Sequence, residues 1–368
     1  MWRKRIAMAA VLATLVGVGA ASPPAHAGGP GDPIYGDING DGITDEMFLG
    51  MVNPDACSVV VEYGLPDGSL SPPVAFVYLR PGSPIEASCP DIGVAFNWDG
   101  DADLADELWV GWSQGAPPDL GYNRIILDSG NLRRVGTFTS PVTPIFMGTA
   151  DFNGDGIPGN YSYGRGGFVT YIVNGATGSL GPEQWCSENV SGVKIKDFND
   201  NRATDAVVAY TNGCTDSANG VVVVLDDGSF QQLEQDSTRQ RTWEAKIVYA
   251  DDDRIPDIRT RETISGKIDH FLGVGNGSFV LSPTAVVDTV TVSSTKKTAI
   301  NILANDYATN EATVTIVTPP RYGKVQVTSS RTVVFTPSAK PGRTDRFVYQ
   351  LTQDGKTSNG AVNIRFQN

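Results

Sequence analysis

The sequence predicts an all-β protein, built from repeated sheet units and followed by a smaller β module of different character. Three observations support this. An Asp/Asn-rich loop recurs five times, starting near residues 37, 97, 151, 197 and 249. The segments between loops are short, apolar or alternating, and the chain's 41 glycines and 23 prolines supply many turns, while no long run has a helical period. Beyond about residue 283 the loop repeat stops and the charge changes sign.

The chain opens with Arg3, Lys4 and Arg5, then an apolar run over 6–21 and the small-x-small site Ala25-His26-Ala27. That pattern is a secretory signal peptide, so residues 1–27 are set apart from the fold. No later apolar run has spanning length. The mature protein is expected to be secreted or held at the cell surface, with no transmembrane segment. Four cysteines, Cys57, Cys89, Cys186 and Cys214, fit disulfides in such a compartment. Three pairings are possible. Repeat register sets one post-loop position against one pre-loop position and predicts Cys57–Cys89 and Cys186–Cys214.

Charge separates the two parts. The full chain carries a net −13. Residues 28–282 hold 15 basic and 36 acidic residues, a net −21, whereas 283–368 hold 10 basic and 5 acidic, a net +5. The acidic part argues against nucleic acid as a partner. Bound divalent cations would relieve its self-repulsion.

Each repeat follows one order. The acidic loop comes first, then a strand-like segment such as Glu46-Met47-Phe48-Leu49, Glu107-Leu108-Trp109-Val110 or Ala206-Val207-Val208-Ala209-Tyr210. A second β-rich run follows, and a Gly turn closes the unit, as in Asp67-Gly68-Ser69-Leu70, Asp227-Gly228-Ser229-Phe230 and Asn276-Gly277-Ser278-Phe279. Spacings of 60, 54, 46 and 52 residues suit supersecondary units that bury a core only by packing on one another.

This order resembles the FG-GAP/VCBS family of repeats over roughly residues 30–282. The resemblance implies a β-propeller of about five blades, with calcium held by the loops at its rim. The tail, 283–368, alternates like a β-sandwich. Its Asn301-Ile302-Leu303-Ala304-Asn305-Asp306 segment, its Pro320-Arg321-Tyr322-Gly323-Lys324-Val325 turn, its Phe335-Thr336-Pro337 strand end and its Asp345-Arg346-Phe347-Val348-Tyr349 strand are similar to bacterial cadherin-like, Ig-like domains. The predicted whole is therefore a propeller of about five blades joined to a small Ig-like sandwich.

Calcium takes six to eight hard oxygen ligands, and a loop alternating carboxylate, carboxamide and carboxylate can curl around one ion. Loop one offers Asp37, Asn39, Asp41, the Ile43 carbonyl and Asp45. Loop four offers Asp197, Asn199, Asn201, the Ala203 carbonyl and Asp205. The other loops depart from the family's pattern. Loop two has Asn97, Asp99, Asp101 and Asp103, and reaches Asp106 only with a one-residue insertion. Loop three has Asp151, Asn153, Asp155 and the Ile157 carbonyl, but Gly159 replaces the last carboxylate. Loop five has Asp251, Asp253, the Ile255 carbonyl and Asp257, but Tyr249 stands first. An EF-hand would need flanking helices and a Glu where loop one has Phe48. The plain alternative is a set of Asx-rich turns without metal.

A catalytic constellation is hard to assemble. The mature chain has one histidine, His270, in an alternating run expected to be a partly exposed strand. Paired carboxylates could still hydrolyse a glycan, and Glu62, Glu86, Glu183 and Glu244 lie outside the loops. Aromatics offer a binding role instead, with Trp112 and Trp185 expected near the surface. The expected function is binding or adhesion to a glycan or extracellular protein. A carbohydrate-active enzyme and a purely structural surface component are the alternatives.

Overall fold

The computed structural model describes residues 28–367 except 54–55, 81–88, 100–103, 175–176, 252 and 354. The expected signal peptide, Glu86, Asp101 and Asp103 thus lie outside the described residues. Those described form strands and turns, and none of them forms a helix long and apolar enough to cross a membrane.

The first repeat folds as an antiparallel meander of β1 (Ile34–Gly36), β2 (Asp45–Asn53), β3 (Ala56–Glu62) and β4 (Val74–Leu79). The second does the same with β5 (Ile92–Phe96), β6 (Glu107–Gly111), β7 (Arg124–Leu127) and β8 (Arg134–Phe138). The third and fourth repeats share one six-stranded sheet: β9 (Thr143–Ala150), β10 (Gly159–Asn174), β11 (Thr177–Lys196), β12 (Asp205–Gly213), β13 (Asn219–Val224) and β14 (Phe230–Asp236). The fifth is a meander of β15 (Trp243–Val248), β16 (Asp257–Glu262), β17 (Ile268–Gly273) and β18 (Phe279–Ser282).

The shared sheet still resolves into two units. The first half of β10 pairs with β9 and its second half with the start of β11, while the end of β11 pairs with β12. β10 also turns back on itself, because a Cβ on Gly159 would strike the carbonyl oxygen of Tyr171. Each repeat therefore contributes four extended passes.

Neighbouring units pack face to face, in chain order. Leu108 and Val110 of β6 join a core with Met47, Val59 and Val61 of the first sheet. Trp109, between them, points the other way and packs with Val142, Met147 and Tyr171 of the third unit. Phe152, Tyr161 and Phe168 then meet Val208 and Val222, and Val207 and Val221 meet Trp243, Ile258 and Phe271. Strands covered on both faces read as continuous apolar runs, and β5, β6 and β13 are buried at every position.

Two disulfides join Cys57 to Cys89 and Cys186 to Cys214, with Cα atoms 5.4 and 5.5 Å apart. Both predicted pairings are thus formed. The surface expectation for Trp112 is corrected. It is buried in the core between the first and second sheets, tilted against Tyr122. Apolar packing at that strand end outweighs the polarity of the loop beside it. Trp185 is half-buried against Tyr210 and Phe230.

The tail is an Ig-like sandwich. One sheet holds β19 (Asp288–Ser293), β25 (Lys356–Gln367), β24 (Thr344–Gln353) and β21 (Thr313–Thr318), and the other holds β20 (Thr298–Ile300), β23 (Val333–Pro337) and β22 (Gly323–Val327). Phe335, Phe347, Tyr349 and Val362 fill the space between them. The sandwich meets the fifth repeat through a Lys356–Asp269 ion pair and a Ser282–Gln353 hydrogen bond of 2.8 Å.

Candidate functional site

Each acidic loop joins the first two strands of its repeat, and one hydrogen-bond scheme recurs. In loop one Asp37 accepts the Gly42 N–H at 2.7 Å, and Asp41 accepts the Ile43 N–H at 2.8 Å. Loop three repeats this with Asp151 and Gly156 at 2.8 Å, then Asp155 and Ile157 at 2.8 Å. Loop four repeats it with Asp197 and Arg202 at 2.8 Å, then Asn201 and Ala203 at 2.8 Å. Loop five keeps the second bond, from the Ile255 N–H to Asp253 at 2.7 Å, while Tyr249 occupies the first position.

The backbone shape is shared too. Positions four and six are left-handed in loop one (Gly40, φ 71°; Gly42, φ 80°) and in loop three (Gly154, φ 72°; Gly156, φ 88°). Loop four holds the same shape with Asp200 (φ 59°) and Arg202 (φ 77°), and loop five with Arg254 (φ 68°) at position six. Without glycine this costs roughly 1–2 kcal/mol per residue. The loop shape is thus kept even where the sequence makes it unfavourable.

The ninth position is a buried clamp. Asp45 accepts the N–H groups of Ile38 (3.0 Å) and Gly64 (2.9 Å). Asp205 accepts those of Phe198 (2.8 Å) and Asp226 (2.9 Å), and Asp257 those of Ala250 (2.6 Å) and Gly273 (2.9 Å). All three side chains are fully buried. In loop two the clamp is Glu107, which accepts the Trp98 N–H at 2.8 Å. Asp106 instead reaches back to the first repeat, accepting the Asp37 N–H at 2.8 Å. Sequence inspection missed Glu107, which aligns with Asp45 only when two inserted residues are counted, whereas one insertion leads to Asp106. Loop three has no clamp, since Gly159 leaves no room for a side chain.

The loops also tie repeat to repeat. The first-position carbonyl of Asp37 accepts the Asp106 N–H at 2.7 Å, and that of Asp151 accepts the Thr204 N–H at 2.7 Å. The next carbonyl along takes a closing-turn glycine of the following repeat: Ile38 from Gly130 (2.6 Å) and Phe198 from Gly277 (3.1 Å). In the fifth repeat the equivalent carbonyl, on Ala250, accepts the N–H of Asn310 from the Ig-like domain at 3.1 Å.

The electrostatics leave these acids without cations. No described Lys or Arg pairs with a carboxylate of loops one, three, four or five. Burial pushes the Asp205 carboxyl up to about 7 and raises those of Asp45 and Asp257. Among the described residues no three carboxylate, imidazole or thiolate side chains converge on one metal-sized point. The carboxylates accept backbone N–H groups, which leaves further lone pairs on each oxygen. In loop four the amide oxygen of Asn199 is buried with no donor, while its nitrogen and that of Asn201 both donate to Asp226 Oδ1 at 3.0 Å. An all-oxygen donor set with an orphaned carboxamide oxygen fits a hard cation.

His270 sits half-buried on β17, its Nδ1 3.3 Å from Gln353 Nε2. Glu183 is fully buried, hydrogen-bonded to Thr170 Oγ1 at 2.8 Å and pushed up to about 8 by burial. It has no access to a substrate. A cleft of about 440 Å³ opens between the fourth and fifth repeats, with Trp243 in its wall and Lys194, Thr211, Glu244 and Lys246 around it.

A family model described as a bacterial Ig domain matches residues 281–365. No FG-GAP or VCBS repeat model matches the chain. No curated protein matches it either.

Proposed function

We propose that the chain is an exported, calcium-braced β-propeller of five blades whose Ig-like domain abuts the last blade, and that it binds a glycan or an extracellular protein. The carrying observation is the loop scheme, which recurs with the same donors, acceptors and left-handed positions in units that pack face to face. Asp37, Asn39, Asp41, the Ile43 carbonyl and Asp45 would hold one ion, and Asp197, Asn199, Asn201, the Ala203 carbonyl and Asp205 a second. Loops two, three and five offer fewer donors and bind more weakly. A bound cation would neutralise carboxylates that burial now opposes. The residues themselves already fix the loop shape, clamp the second strand in repeats one, two, four and five, and tie loops one, three and four to the repeat that follows.

The cleft beside Trp243 is the ligand site. It combines two ammonium groups, a carboxylate and threonine hydroxyls over the buried Trp243, the polar mixture that suits a sugar or a polar peptide. The mature protein, presented to glycan and extracellular-protein arrays with calcium, should bind a defined set of ligands. Lys194→Ala with Glu244→Ala should weaken that binding about tenfold while leaving the melting temperature unchanged. Turnover of a glycan by the same preparation would favour the enzyme alternative. Calcium-dependent melting with empty arrays would favour the structural one.

A further inference from the structure

We propose that the Ig-like domain carries its own anion-binding cleft and that its ligand is an acidic polysaccharide. The cleft, about 740 Å³, lies on the outer face of the β19–β25–β24 sheet and is flanked by the segments around residues 321 and 343. Four arginines line it: Arg321, Arg343, Arg346 and Arg365. Register explains the convergence. Arg346 lies directly across from Asn363, which in turn pairs with Thr289, and Arg365 lies across from Thr344. These residues therefore share one face, while Phe347, Val362 and Ile364 point the other way into the core.

None of the four guanidinium groups has an ion-pair partner among the described residues. The one carboxylate in the cleft is already engaged. Asp345 accepts the backbone N–H groups of Arg321 (2.9 Å), Tyr322 (2.7 Å) and Arg346 (2.8 Å). It thereby pins the 321–322 segment beside β24 and forms no ion pair with the arginines. Arg321 is further held over the Tyr322 ring, 5.3 Å from its centroid. The charge is thus pre-arranged and unsatisfied, and guanidinium forks match carboxylate, phosphate and sulfate groups alike.

The rest of the lining selects the class of ligand. Thr289, Thr344 and Asn363 offer hydroxyl and carboxamide groups for sugar hydroxyls. Nucleic acid would want a free aromatic platform, and the single ring here is covered by Arg321 on one side and lies against Gly342. A membrane surface would want exposed apolar anchors, which the lining lacks. The domain's net +5 beside a net −21 concentrates the attraction at this end of the chain.

The test measures binding of the mature full chain at about 0.15 M salt, where non-specific attraction is screened. The probes are polygalacturonate, dextran sulfate and a phosphodiester-linked polysaccharide, with neutral dextran, single-stranded DNA and anionic vesicles as comparisons. At least one acidic polymer should bind, neutral dextran should not, and the best of the three identifies the acid group. Arg321→Gln with Arg346→Gln should weaken binding about tenfold, roughly 1.4 kcal/mol. Lys296→Gln with Lys297→Gln, which removes equal charge outside the cleft, should change it less than about twofold. Arg346→Lys should lose part of the affinity, because the charge stays and the fork goes. No binding to any acidic polymer, equal losses in the arginine and lysine pairs, or equal affinity for DNA or vesicles would each overturn the proposal. The cleft does not depend on the calcium loops, so this test stands apart from the one above.

Discussion

At the residue scale the buried aspartates Asp45, Asp205 and Asp257 link loop chemistry to stability. Each carboxylate is itself buried and satisfies two backbone N–H groups. Asp45→Ala strands both donors and should cost about 2–4 kcal/mol in urea unfolding of the chelated protein, more than a surface substitution costs. A second buried acid sets a pH dependence. Asp288, beside Asp306 in the Ig-like domain, is pushed up to about 6, first by burial and then by that neighbour. A carboxyl raised on folding is best tolerated protonated, so its stability cost is absent near pH 4, grows toward pH 6 and is constant above. Asp288→Asn should therefore leave stability unchanged near pH 4. At pH 7.5 it should add about 1 kcal/mol, after allowing for solvent screening. A gain of equal size at both pH values would contradict this assignment.

At the scale of elements, the sequence is most legible where spacing and chemistry coincide. The loop starts, the closing turns and both disulfides could be placed because each recurs in register with the others. Legibility failed where packing overrides local polarity. Trp112 follows a strand and precedes a polar turn, yet the facing sheet buries it. Glu107 escaped notice because loop two is two residues longer than loop one, and a single insertion stops at Asp106. Gly159 looked like a missing ligand, but it marks a close approach between the two halves of β10. Gly159→Ala should accordingly cost about 1–3 kcal/mol through collision with the Tyr171 backbone, and should leave any calcium-induced rise in melting temperature intact. A neutral Gly159→Ala would mean that β10 does not turn back there. The arginine cleft was invisible in sequence for a related reason, since its four members come from three separate segments that only sheet register brings together.

At the scale of the molecule, the acidic units form a series in which loops one, three and four each hand a hydrogen bond to the next repeat, and the Ig-like domain takes over that contact at the fifth through Asn310. A net −21 concentrated in residues 28–282 works against such packing, and oxygen-rich loops without partner cations sharpen the cost. Divalent cations in the loops would offset that charge. The most direct measurement is the melting curve of the mature protein in millimolar calcium and in chelator, with Asp41→Ala alongside. Calcium should raise the melting temperature by several degrees, on the scale of one to three kcal/mol of linkage, and Asp41→Ala should remove part of that rise. Superimposable curves with and without calcium, in a protein that retains no metal on dialysis, would contradict it.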